Sequence, residues 1–180
     1  QYQGIPVKGY TAMVSAMLDH PNIRLVTNTD YFDVREEISA DLTVYTGELD
    51  RYFEYTHGKL EYRSLELRFE TLDMPLFQET AVVNYPNDYN WTRITEYKQL
   101  TGEDSPKTTV SYEYPKREGE PYYIVPSEDN MEKRSRYMEE VTALEKEGKH
   151  LFIGRLAEYA YYNMDQVIER VISRLLDVDQ

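Results

Sequence analysis

The sequence has no cysteine, which excludes disulfides, thiolate nucleophiles and Cys-ligated zinc. Histidine is scarce: His20, His57 and His150 are scattered, with no HExxH or comparable ligand spacing, so no metal site is expected. No serine sits in a nucleophile-elbow context. Glycine and proline are few, 8 of each, which argues against a disordered or collagen-like chain. The glycines form neither a GxGxxG loop nor a P-loop, so any dinucleotide that binds has its pyrophosphate loop elsewhere. Basic residues are outnumbered, 20 Lys+Arg against 33 Asp+Glu, and a formal charge of −13 repels nucleic acid and an anionic membrane surface alike. No apolar run approaches the roughly 18 residues of a spanning helix, and the first twenty residues lack the order of a signal peptide. The expectation is a soluble, cytoplasmic protein. Carboxylates are too many for one pair to be singled out for glycoside hydrolysis. What is abundant is tyrosine, 18 of 180 residues, combining a flat apolar ring with a hydroxyl suited to sugar and phosphate oxygens, or else to strands of a sheet-rich fold.

A chain of 180 residues suits one domain or a piece of a larger one, and an opening on Gln1 that runs straight into helical periodicity is expected of a cut-out piece. Tyr10, Met13, Val14, Met17 and Leu18 hold the spacing of one buried helical face, stopped by His20-Pro21-Asn22. Ile23 to Val26 reads as a strand before the turn formers Thr27 to Asp30, and Asp41 to Thr46 as another ending at Gly47. From Arg63 to Thr71 the pattern has period two, with Leu65, Leu67 and Phe69 on one face and Ser64, Glu66, Arg68 and Glu70 on the other. Gln78 to Tyr85, Thr92 to Gln99 and Lys107 to Tyr114, separated by turn clusters, read as an antiparallel meander. After Pro126 a helix is expected from about Met131 to Glu147, closed by Gly148. Leu151 to Gly154 reads as a short buried strand. Met164, Val167, Ile168, Val171, Ile172, Leu175 and Leu176 mark a last helix, with Asn163 as N-cap and Gln166 in the capping-box position. The fold class is α+β, or an α/β unit with an inserted sheet.

The segment Leu151-Phe152-Ile153-Gly154-Arg155-Leu156, followed by Tyr159, Tyr161, Tyr162, Asn163, Met164 and Asp165, brings a strand end, a guanidinium and a helix N-terminus together, an arrangement suited to an anion or an electron-rich carbonyl. An ordinary strand-loop-helix connection would look the same. This block resembles the Gly-Arg-Leu…Tyr…Met-Asp signature of the UDP-galactopyranose mutase family. Five further segments are similar to that family in the same order: Gln3-Gly4-Ile5-Pro6-Val7-Lys8-Gly9-Tyr10-Thr11, Tyr45-Thr46-Gly47, Gly58-Lys59-Leu60-Glu61-Tyr62-Arg63-Ser64-Leu65, Thr92-Arg93-Ile94-Thr95-Glu96 and Pro121-Tyr122-Tyr123. Two positions depart from the pattern: Asn163 stands where the family has Asp, and Ile124 where it has Pro.

The resemblance implies an antiparallel sheet domain with flanking helices, plus strand and helix pieces of an FAD-binding Rossmann-like domain whose N-terminal part is absent. On that reading residues 1–60 belong to the FAD domain, 61–125 form the substrate-facing sheet, and 126–180 complete the FAD domain. It also implies a flavoenzyme interconverting UDP-galactopyranose and UDP-galactofuranose, in which reduced FAD attacks the anomeric carbon through N5. By the same resemblance Arg93 is catalytic, beside the flavin and the substrate diphosphate. Arg63 and Asn84 line the sugar-nucleotide cleft, and Tyr161 with either Tyr122 or Tyr123 contacts diphosphate oxygens. Arg155, Asn163 and Met164 lie on the flavin side, and Asp30, Tyr31 and Phe32 toward the adenine end. Its partners would be UDP-galactose in both ring forms and the missing N-terminal half, with homodimer formation left open. The fragment alone is expected to be inactive and to retain no stoichiometric FAD. From the residues alone, a surface ion pair is the favoured explanation of Arg63 and Arg93, and a plain core aromatic is the alternative for Tyr161. Two other readings stand beside the mutase: a self-standing nucleotide-sugar or carbohydrate-binding module that uses tyrosines on a sheet face as a stacking platform, and a flavin amine-oxidase-like protein.

Overall fold

Local pattern and long-range pairing agree best where a helix has a good cap or a strand has a partner. The computed structural model describes residues 4–178, with side chains described as far as residue 175. Gln3 of the first family segment and the side chain of Leu176 therefore lie outside the described residues. The molecule has a mixed α and β architecture of antiparallel strands and flanking helices, organised as two units. One contains the chain up to Ile38 together with Glu66–Pro115, the other Ser39–Leu65 together with the chain from Lys116 onward.

In the first unit, helix α1 (Gly9–Leu18) and the single-turn helix α2 (Tyr31–Val34) precede the sheet. Strand β2 (Tyr62–Leu72) enters this unit at Glu66 and lies beside β5 (Thr108–Lys116), which pairs antiparallel with β4 (Arg93–Glu96), and β4 with β3 (Val82–Asn84). The meander is thus present, with shorter strands than the composition predicts. Ile94 and Val110 form its buried apolar centre, beside fully buried Glu96.

Three expectations for this unit are corrected. Ile23–Val26 forms no strand: Ile23, Leu25 and Val26 are exposed, and apolar composition cannot make a strand without a partner for its backbone groups. The segment Thr92–Gln99 is strand only to Glu96. Tyr97–Thr101 forms helix α4, because Gly102 adopts φ +70° and donates its N–H to the Lys98 carbonyl at 2.9 Å, closing the turn. The helical spacing in α1 is real, but its Tyr10, Met13, Val14 and Met17 face is exposed.

The second unit contains a two-stranded parallel sheet, β1 (Thr43–Tyr45) against β7 (His150–Phe152), with Tyr45 opposite Phe152. The short helix α3 (Leu49–Tyr52) follows β1. The start of β2 pairs with β6 (Tyr123–Ile124), Arg63 opposite Tyr123. Helix α5 (Glu128–Lys146) begins three residues earlier than its apolar pattern, because Ser127 accepts from the Asn130 N–H at 3.3 Å and acidic residues fill the first turn. Tyr137 and Val141 of α5 join Tyr45, Leu49, Leu151 and Phe152 in the core. The rings of Tyr45, Tyr52, Phe53, Phe152 and Tyr137 meet edge-on or stacked at centroid distances of 4.7–5.8 Å.

Tyr159, with φ +43° and a buried side chain, ties β2 to the end of β6: its hydroxyl donates to the Glu61 carbonyl at 2.5 Å and accepts from the Val125 N–H at 3.2 Å. Removing that oxygen takes one bond from each backbone group and leaves them only their mutual bond, Val125 N–H to the Glu61 carbonyl at 3.2 Å. Tyr159→Phe is therefore expected to lower the unfolding free energy by about 1 kcal/mol, measured by urea denaturation, whereas Tyr10→Phe on the exposed face of α1 leaves it within about 0.5 kcal/mol.

Helix α6 (Met164–Val178) has an unusual orientation. Its arginines face the unit: Arg170 reaches Glu158 at 2.7 Å, a carboxylate whose side chain is 5 % exposed, and Arg174 reaches Glu145 at 2.8 Å. The apolar stripe carries Met164, Ile168, Ile172 and Leu175 facing outward, at 65, 59, 54 and 44 % exposure. The spacing predicted the face, but two charge pairs decide which side of the helix meets this unit.

Among the described residues no helix is long and apolar enough to cross a membrane, and no cluster of His, Cys, Asp or Glu could hold a metal ion.

Candidate functional site

The second unit converges on the carboxyl ends of β1 and β7. Parallel strands direct their ends to one side, and ligands of open α/β sheets bind outside those ends. Here β1 runs into Thr46-Gly47 and β7 into Ile153-Gly154-Arg155, joined by the Ile153 N–H to the Tyr45 carbonyl at 3.1 Å. Gly47 has no room for a side chain: a Cβ there would come within 2.5 Å of the Tyr45 hydroxyl. Gly154 has φ +100°, a conformation closed to side-chain-bearing residues, and donates its N–H to Glu158 Oε2 at 2.9 Å. Because Glu158 is itself held by Arg170, helix α6 fixes the turn that carries Arg155.

The Arg155 side chain is oriented rather than free. Its Nε donates to the Tyr162 carbonyl at 2.5 Å, and its guanidinium lies 4.4 Å from the Tyr161 ring centroid and 5.9 Å from that of Tyr123. Tyr161 and Tyr123 stack at 6.3 Å with an interplanar angle of 17°. Arg63 shares the face of Tyr123 through the β2–β6 register, and its carbonyl accepts from the Tyr122 N–H at 3.0 Å. The structure thus gathers Arg63, Tyr123, Tyr161 and Arg155. Tyr122 lies just before β6 and is exposed. Asn163 opens α6: its N–H donates to Gln166 Oε1 at 2.8 Å, the return arm of a capping box, while its Oδ1 receives the Tyr161 hydroxyl at 3.5 Å. Met164 is the first residue of the helix and is exposed.

Arg63 also borders a cavity of about 590 Å³ with Glu48, Lys59, Tyr62 and Arg117. Behind it Asp50 is buried, with Oδ2 accepting the Leu60 N–H at 2.8 Å and Oδ1 lacking a partner. Burial pushes the Asp50 carboxyl up, and burial with the neighbouring Asp50 pushes Glu48 up. Burial also raises the Tyr62 phenol, helped by the nearby Asp50 and Glu48.

In the first unit, Arg93 and Asn84 meet directly: Arg93 Nε donates to Asn84 Oδ1 at 3.0 Å, and its guanidinium lies 3.6 Å from Glu113 Oε2 on the facing strand. Asp30 accepts from the Phe32 N–H at 3.0 Å and so caps α2, Tyr31 meets Phe32 edge-on at 5.3 Å, and Arg35 lies over the Phe32 ring. Reasoning from the sequence missed Glu158, Arg170 and Glu113. The signals were present in outline: arginines four apart on α6, and an acidic residue that the meander register places opposite Arg93.

The family profile described as "UDP-galactopyranose mutase" matches residues 1–161. The chain belongs to the UDP-galactopyranose mutase family. Over 96 % of its length it is 34 % identical to a probable UDP-galactopyranose mutase of Klebsiella pneumoniae and 36 % identical to a UDP-galactopyranose mutase of Mycoplasma pneumoniae, covering 45 % and 47 % of those proteins. A dTDP-fucopyranose mutase of Escherichia coli is 31 % identical over 96 % of the chain, which covers 48 % of it. The chain therefore spans about half the length of these UDP-galactopyranose mutase relatives.

Proposed function

We propose that this chain is the C-terminal part of a flavin-dependent mutase that interconverts UDP-galactopyranose and UDP-galactofuranose in the cytoplasm. The observation that carries the reading is the group of Arg63, Tyr123, Tyr161 and Arg155 beside the ends of β1 and β7 and the start of α6. Two guanidiniums and two phenols suit a sugar nucleotide's diphosphate, which needs cations and hydroxyl donors at fixed positions. A flavin fits the other side: Gly154 has open space where a side chain would stand, and the N–H groups of the first turn of α6 suit its electron-rich carbonyls. Bound in reduced form, the flavin supplies the nucleophile for the anomeric carbon.

The roles of the chain's own residues follow from their chemistry. Arg63 and the hydroxyls of Tyr123 and Tyr161 hold the diphosphate in place while the sugar changes ring size. Arg155, braced by Tyr162 and the two rings, keeps its charge on the flavin side. Arg93, oriented by Asn84, stabilises negative charge on the departing diphosphate. Asp30, Tyr31 and Phe32 lie toward the adenine end. The outward apolar stripe of α6 and the exposed face of α1 receive the rest of the polypeptide that the relatives' length implies, so this chain by itself is inactive and colourless.

UDP-galactose is preferred to a dTDP-fucose substrate because relatives with the former name are the more similar. The test uses the full-length polypeptide with reduced FAD, assayed chromatographically on UDP-galactofuranose and on dTDP-fucofuranose. Conversion of the first to its pyranose is expected. Turnover of dTDP-fucofuranose alone would reassign the substrate, and failure to bind flavin would return the chain to a nucleotide-sugar-binding module.

A further inference from the structure

The opposite face of the first unit's sheet carries a second, unassigned constellation. Arg93 and Glu113 are paired across β4 and β5, so Tyr112 and Tyr114, flanking Glu113, project from the other side of the sheet. There they meet Trp91 edge-on at 5.3 and 6.2 Å, and Tyr89 stacks on Trp91 at 4.7 Å. The charged face of β2 supplies the rim: Arg68 lies 4.4 Å over the Tyr114 ring and bonds to Glu66 at 2.6 Å, and Glu70 is close enough to Tyr112 to help burial raise its phenol. Together Arg68, Phe69, Glu70, Trp91, Tyr112 and Tyr114 enclose a groove of about 420 Å³. The Trp91 indole N–H is shielded from water and has no acceptor.

We propose that this groove binds a neutral saccharide, one or two hexose rings stacked on the Trp91, Tyr112 and Tyr114 rings with their hydroxyls shared between Arg68 and Glu70. Aromatic faces accept the C–H side of a sugar ring, and a guanidinium beside a carboxylate offers donors and acceptors to neighbouring hydroxyls. The flanking Glu66 and Glu70 and the chain's charge of −13 disfavour nucleotides and anionic glycans. A polyproline ligand advances about 3.1 Å per residue and needs a long row of parallel slots rather than one compact groove. The site is independent of the mutase reading, since it uses neither flavin nor diphosphate.

Trp91 is the only tryptophan in the chain, so its fluorescence reports on this groove alone. Titration of the 180-residue chain with galactobiose, maltotriose and cellotriose, with UDP and a proline-rich decapeptide as alternatives, should give a saturable Trp91 shift for at least one saccharide and none for UDP or the peptide. Arg68→Ala and Glu70→Gln, both at the rim and away from the core, should each weaken that binding about tenfold, while Arg136→Ala on α5 leaves it unchanged. A flat response to all three saccharides up to 50-fold molar excess at millimolar protein, checked by amide NMR shifts, or a response only to UDP or the peptide, overturns the proposal.

Discussion

Replacing Arg93 by alanine in the full-length enzyme is expected to lower kcat by about two to three orders of magnitude with a small change in KM, the pattern of a charge that acts mainly in the transition state. The argument rests on how the side chain is held. Arg93 sits in β4 with Nε bonded to Asn84 at 3.0 Å and its guanidinium 3.6 Å from Glu113, so the charge is fixed from two directions before any substrate arrives. A preorganised cation costs no reordering when the diphosphate leaves. The competing explanation, an ion pair with Glu113 and nothing more, predicts a different result: a half-exposed pair contributes about 0–1 kcal/mol to stability and nothing to turnover. Steady-state kinetics and thermal melts of Arg93→Ala beside Arg136→Ala separate the two. Arg136 makes an exposed pair with Glu132 on α5 and serves as the neutral reference. Equal and small kinetic effects for both variants would remove Arg93 from the chemistry.

What the sequence made legible, and what it did not, follows from the range of the interactions involved. The αL closure at Gly148 and the period-two run of β2 are written in neighbouring residues, and each appears in the structure, whereas the equally local Ser127 cap and Gly102 closure went unread beside the apolar pattern. Ile23–Val26 failed because a strand is a pairing, and local composition cannot say whether a partner exists. The outward stripe of α6 was not legible for a related reason: the helical period identifies an apolar face but not which side meets this unit, and that is decided by Glu158 and Glu145, twelve and twenty-nine positions before Arg170 and Arg174. The grouping of Arg63 with Tyr123 comes from strand register, while the family segments supplied only their order along the chain.

The same limit explains Glu96, the last residue of the Thr-Arg-Ile-Thr-Glu segment, whose part is structural. It is fully buried, and four donors converge on its carboxylate: the N–H groups of Phe77 and Gln78 at 2.9 and 3.1 Å, the Thr108 hydroxyl at 2.6 Å and the Gln99 amide at 2.6 Å. One charged group therefore fastens the 77–78 loop, α4 and the start of β5 to β4. Glu96→Ala is expected to cost about 3–5 kcal/mol, because all four donors lose their acceptor inside the unit. Glu96→Gln should cost about 2 kcal/mol, since an amide keeps one acceptor and turns a second donor toward groups that are donors already. The pH dependence gives a separate check. Burial raises the Glu96 carboxyl, but the bonds from Thr108, Phe77, Gln99 and Gln78 outweigh it and hold the group below its ordinary value of 4.5. The unfolded chain thus takes up the proton first as pH falls, so the contribution of Glu96 is complete above about 4.5 and is lost as pH drops through the folded value. Urea denaturation followed by Trp91 fluorescence at pH 7, 5 and 4 should show the gap between wild type and Glu96→Gln narrowing on acidification. A gap that stays constant or widens would mean that the carboxylate is protonated in the folded protein already, and the four-donor arrangement would have to be reassigned to a neutral acid.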